Sequence, residues 1–243
     1  MSAGIDCIEF RPTRPGFEYM PGRFNLPRHR HLRAYVTVVL SGSFEESGYV
    51  GRVRASAGDV LIHPSMDCHA NQMVTDGVKL LRLSWPDEWG RAGNYRFDEI
   101  DQLARIAERD PEDAASFLAE GLAGDSIPAP GIHHDWPDLL AANLAGGTAF
   151  QLGDWAEANR LAPATVSRGF RAAFGVTPVE YRAELRARAA WLRTIRGAER
   201  LSLVAARCGF ADQSHMTRWV KRVTGAPPSA WRKHNATTAA SIA

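Results

Sequence analysis

Cysteine is scarce in this chain. Three stand far apart in 243 residues, at Cys7, Cys68 and Cys208. An odd, sparse set argues against a disulfide framework and fits a reducing cytoplasm. Long apolar runs are missing too. Stretches such as Tyr35 to Leu40 are far too short to cross a bilayer, so no membrane partner is expected. No apolar run follows Met1-Ser2-Ala3-Gly4, where a secretory signal would need one. Net charge is nearly absent, at +2, but that balance hides an asymmetry. Residues 1–131 hold 14 Lys and Arg against 19 Asp and Glu, whereas residues 132–243 hold 15 against 8. A basic half joined to an acidic half suggests that one domain meets a polyanion and the other does not.

What is present divides the chain in the same way. Tyr35 to Leu40 is β-branched and apolar and stops at Ser41-Gly42-Ser43. Tyr49 to Val53, Val60 to Ile62 and Val78 to Leu83 are further short runs, separated by turn residues at 57–59 and 75–77. Strands this short and this spaced indicate a small all-β barrel or sandwich. After Pro86 the period changes. Ile100, Leu103, Ile106 and Ala107 recur at helical spacing, as do Ala115, Leu118 and Leu122, with Pro111 placed for a first turn. These two stripes suit packing on the barrel or pairing with a second subunit, and a homodimer is the expectation. Ile127-Pro128-Ala129-Pro130-Gly131 reads as an interdomain linker.

The helical remainder contains a duplication. Leu152 to Phe170 fits a helix-turn-helix, with Asp154 and Glu157 as a capping box and Pro163 opening the second helix. Leu201 to Arg222 fits a second, with Ser202 as cap and Gly209 at the turn, where positive φ is cheap only for glycine. Leu203, Ala206, Phe210, Met216 and Trp219 are its expected inner face. Arg168 and Arg218 are equivalent, fifty positions apart. Between the copies, Val179 to Arg196 reads as one helix of roughly 27 Å. A rod of that order holds two recognition helices about one DNA turn apart, near 34 Å.

Residues 135–233 resemble the DNA-binding domain of the AraC/XylS family. The likeness is carried by Gly209 to Arg218, Lys221, Thr224-Gly225, Pro228 and Trp231-Arg232, and in the first copy by Val166 to Phe170 and Phe174 to Pro178. It implies a transcription regulator, activator or repressor, not an enzyme, with double-stranded DNA as partner and RNA polymerase as a further candidate. It also implies base contacts at Ala164, Ser167, Arg168, Gln213, Ser214 and Arg218. Helix geometry puts Thr165, Arg171, Thr217 and Lys221 nearer the phosphates, with His215 also outward. Gly169 and Ala164 leave the first recognition helix short of polar groups, so the second unit is expected to carry more of the direct readout.

In the N-terminal half, His29-Arg30-His31 and Gly58 to Asn71 resemble the two boxes of a cupin barrel. His29, His31 and His69 match three metal-binding histidines of that family. The expected Glu falls near Ala34 or Tyr35, neither a usual ligand, and Met66 stands at a glycine position. Three imidazoles suit a divalent ion, a small-molecule effector site, or a set of hydrogen-bonded wall residues. His63 reads as structural and Cys68 as a packed side chain. The expectation is therefore an α+β multidomain chain. Residues 1–88 form a cupin-like β-barrel sensor, 89–131 a helical connector, 132–235 an all-α double helix-turn-helix domain, and 236–243 a disordered tail. A metal-dependent cupin enzyme carrying a DNA-binding module is the alternative.

Overall fold

The computed structural model describes residues 13–22, 24–90, 92–123, 135–146 and 150–240. The expected linker at 127–131 and Cys7 lie outside them. Among the described residues, nine strands form two antiparallel sheets. β1 (Gly16–Pro21), β8 (Gly77–Ser84), β3 (Tyr35–Ser41), β6 (Asp59–His63) and β9 (Gly93–Arg96) make one, in that order. β2 (Asn25–Arg30), β7 (Cys68–Met73), β4 (Ser43–Gly48) and β5 (Gly51–Ser56) make the other.

The central strand β3 shows how the layers arise. Successive side chains of a strand point to opposite faces. Val36 and Val38 face one way, into a cluster with Val60, Ile62, Leu81 and Leu83. Val39 faces the other, into the space between the sheets with Leu26, Phe44, Val53 and Leu80. The outer cluster is closed by α1 (Ile100–Ala107) and α2 (Pro111–Gly121), whose Leu103, Ala115, Leu118 and the following Leu122 are buried in it. Burial of each of the three leucines is worth about 1.5–3 kcal/mol of transfer free energy. The connector stripes are therefore covered by the chain's own sheet, which removes the basis on which they suggested a dimer. Pro111 sits in the first turn of α2, capped by Asp110 through the backbone N–H groups of Glu112 and Asp113.

The helical half comprises α3 (Trp136–Ala145), α4 (Leu152–Ala158), α5 (Pro163–Phe174), α6 (Pro178–Arg196), α7 (Leu201–Arg207), α8 (Gln213–Thr224) and α9 (Pro228–Ala240). α5 and α8 are twelve residues each and start fifty positions apart. Each ends at a left-handed glycine, Gly175 and Gly225. Two capping expectations fail. α4 begins at Leu152, so Asp154 lies inside its first turn and no capping box forms there. α7 begins at Leu201 after Arg200, so Ser202 is not its cap. The inner face also differs from the expected one. Val204, Ala205 and Cys208 are buried, whereas Leu203 is 45% exposed and Ala206 is exposed. Phe210 and Met216 do lie inside. The capping box belongs to α6, where Thr177 and Glu180 bond reciprocally. α9 runs through 236–240, where a disordered tail was expected, and 241–243 lie outside the described residues.

Candidate DNA-reading face and histidine cluster

α5 and α8 are both fastened to the rod α6. Phe170, Phe174 and Tyr181 form the core on one side, with Leu140 and Leu144 of α3. Ala187, Ala190 and Trp191 meet Val204, Met216 and Val220 on the other. The opposite faces of α5 and α8 are open. Ala164, Thr165, Ser167, Arg168 and Arg171 are exposed on α5, and Gln213, Ser214, Arg218 and Lys221 on α8. His215 and Thr217 are half-buried. Arg171 also reaches Glu180 at 3.4 Å. His215 stands edge-on to Phe210 at 5.3 Å. Its backbone N–H donates to the carboxylate of Asp212, which therefore acts as the cap of α8. Gly209, at φ +73, makes the turn between α7 and α8. Gly169 has a packing reason that the sequence did not reveal. A Cβ there would run into the indole of Trp136, so glycine lets α3 lie directly on α5.

The second constellation lies inside the sandwich. His29 on β2, His31 just after it and His69 on β7 are buried, and their ligating nitrogens lie within 4.8 Å of one another. β2 pairs with β7 so that His29 stands opposite His69. Each imidazole is oriented from behind. His29 Nδ1 bonds the Pro27 carbonyl at 2.9 Å, His31 Nδ1 bonds Thr13 Oγ1 at 2.8 Å, and His69 Nδ1 donates to Asp67 at 3.0 Å. His31 Nε2 is buried with no hydrogen-bond partner. Burial, reinforced by the neighbouring imidazoles, pushes its pKa down to about 2, which keeps the ring neutral. Backing of this kind by hydroxyl, carbonyl and carboxylate groups is what orients histidines that ligate metals. The donor set therefore fits a divalent transition metal.

Three residues enter this site unannounced. Tyr35, near the position where the resemblance places a Glu, donates no carboxylate, but its hydroxyl lies 3.3 Å from His69 Nε2. A carboxylate comes instead from Glu46 of β4, 3.8 Å from His69 Nε2 and 3.7 Å from His63 Nδ1. Asp67 accepts from Nδ1 of both His63 and His69. Burial opposes charge on His63, but Glu46 and Asp67 outweigh it and raise its pKa. β4 is Ser-Phe-Glu-Glu-Ser-Gly, too polar to announce a strand, and so Glu46 could not be placed from sequence. Cys68 is fully buried, and burial raises its thiol pKa to about 11, as a packed side chain requires.

Residues 155–234 match the model of a family described as a helix-turn-helix domain. No curated protein matches the chain. Among solved structures, ToxT from Vibrio cholerae O395 is 9% identical over 90% of this chain and 96% of its own, with a TM-score of 0.37. The DNA-binding domain of AdpA, solved in complex with a target DNA, is 21% identical over 43% of this chain and 96% of its own, TM-score 0.40. The C-terminal domain of the response regulator yesN from Fusobacterium nucleatum is 20% identical over 39% and 90%, TM-score 0.34.

Proposed function

We propose that this chain, whose residues 155–234 form an AraC-type helix-turn-helix domain, regulates transcription by binding two successive major grooves and responds to an effector in its barrel. One observation carries the DNA reading. α5 and α8 repeat at a fifty-residue offset, are fixed to one rod, and present exposed Arg168 and Arg218 at matching positions. The 19-residue rod spans about 28 Å, comparable with one turn of B-form DNA. Arg168 and Arg218 then read guanine edges, with Ala164, Ser167, Gln213 and Ser214 beside them. Thr165, Arg171, Thr217 and Lys221 hold phosphates, and His215 buttresses the start of α8. Selection from random duplexes with the full chain tests this. The expected outcome is a site with two boxes about 10 base pairs apart. Binding without preference over random competitor overturns it.

For the effector, His29, His31 and His69 are the residues that would hold a divalent metal, and the buried unpartnered nitrogen of His31 supports that reading. Such an ion would supply a strong link between β2 and β7 at a cost of displacing the Tyr35 hydroxyl from His69. A small polar effector bonding the same nitrogens would use the same site. A regulator of this kind meets RNA polymerase at its promoter. If it pairs with a second copy, the surface must be other than the inner faces of α1 and α2.

A further inference from the structure

The barrel and the helical half meet along a seam that no sequence motif announces. Glu184, midway along α6, is 1% exposed. It accepts from Arg28 at 2.7 Å and from the Tyr49 hydroxyl at 3.1 Å, with Arg30 at 3.8 Å. Arg28 also donates to the carbonyl of Phe174, the last residue of the recognition helix α5. Farther along the rod, Arg188 Nε donates to the Ser65 carbonyl at 2.8 Å.

The loop that follows β6 completes the seam. Met66 is fully buried, yet its side chain does not pack in the sandwich. It sits in the core of the second helix-turn-helix, with Ala187, Ala190, Trp191 and Met216. Its backbone is left-handed at φ +60, a region costly for methionine, so surrounding contacts must hold it there. Its carbonyl accepts from Arg30 at 2.8 Å. The next residue, Asp67, bridges His63 and His69 through its side chain and accepts from the His31 backbone N–H through its carbonyl. Loop 64–67 is thus tied at one end to the histidine cluster and plugged at the other into the core beneath α8, while Arg28 holds α5.

We propose that loop 64–67 is a latch, and that its Met66 transmits the state of the histidine cluster to the relative placement of the two recognition helices. The identity of the input rests on the sensor reading above; the mechanical link does not. A change that draws His69 or His63 off Asp67 moves Asp67, and Met66 is its chain neighbour. Withdrawing Met66 opens a gap in the core it shares with α6 and α8, and a packed core answers a gap by settling into another arrangement rather than by stretching. Unit two then shifts on the rod while unit one stays tied through Arg28.

Spin labels on exposed positions away from the reading faces test the link, at Glu157→Cys on α4 and Ala206→Cys on α7 in a Cys7→Ser background, with the full chain. The parent should give one narrow distance distribution. Asp67→Asn and Met66→Gly should each broaden it or shift it by several ångströms, and Met66→Leu, which keeps an apolar plug, should restore it. Affinity for the selected DNA site should change at least fivefold in the two disrupting variants. Parent-like distances in Asp67→Asn and Met66→Gly overturn the latch. Should Asp67→Asn fail to fold, Arg188→Gln takes its place, because it cuts the tie of the rod to Ser65 in the same loop. Its distances should shift in the same way, and parent-like distances there again overturn the latch. The distance measurement needs no DNA, so failure of the DNA-binding reading would leave it intact and be recognised separately.

Discussion

Arg28 on β2 and Glu184 on α6 lie 2.7 Å apart, with their side chains only 7% and 2% exposed. They are 156 residues apart in sequence and belong to different halves of the chain. The pair takes two charges out of water, and breaking one partner leaves the other uncompensated. Glu184→Ala should therefore cost about 3–5 kcal/mol, read as a lowered urea midpoint. Replacing both with Leu leaves only Arg30 without its counter-charge and should cost less. Equal losses in both variants would mean that the charge itself is not what matters there.

Gly169→Ala provides a second case. Helix propensity alone favours alanine by about 1 kcal/mol. The indole of Trp136 occupies the space that the new methyl needs. Overpacking of this kind costs about 1–3 kcal/mol, so a net loss of stability is the expected result. A stabilised variant would show that α3 does not lie on α5 as described.

On the reading face, the two kinds of contact separate by their effect on DNA. Arg218→Ala should relax sequence preference in one box and cost about 1–3 kcal/mol there. Lys221→Ala should weaken every sequence alike and lower the salt slope by about 1. Titrations of matched and mismatched duplexes at several salt concentrations distinguish them. Unchanged specificity in Arg218→Ala removes it from the base-reading set.

Zinc titration with a competing chelator addresses the histidine cluster. His31→Ala should weaken zinc binding at least tenfold. Glu46→Gln, which keeps the bond from Asn71 but removes the charge, should weaken it less. Zinc affinity that ignores both substitutions would move any metal elsewhere.

Much of this architecture could be read in the chain. Gly209, Pro163 and the fifty-residue repeat located both recognition helices because turn chemistry and helix starts are local. Cap positions were less legible. Asp154 and Ser202 have the right chemistry, but the helices begin earlier, where tertiary packing of Leu152 and Leu201 outweighs a side-chain cap. The polar strands β4 and β7 were invisible because their Glu46, His69 and Asn71 face a buried site where an apolar pattern would be expected. The seam was hidden for a different reason. Nothing in Glu184, flanked by Ala183 and Leu185 on a helix rich in arginine, distinguishes it from a solvated carboxylate until the barrel is set against it. Met66 did stand out, as the wrong residue in a glycine position, and its explanation lies in the other domain.

The rod α6 also fixes a phase. Each residue of an α-helix advances about 1.5 Å and turns about 100°. Inserting one amino acid between Glu184 and Arg188 would turn the second helix-turn-helix by about 100° around the rod while moving it forward by only about 1.5 Å. It would also carry Arg188 away from Ser65. On the two-groove reading proposed above, the spacing between the two boxes cannot drift by small insertions in the rod, and a viable change has to arrive in whole helical turns.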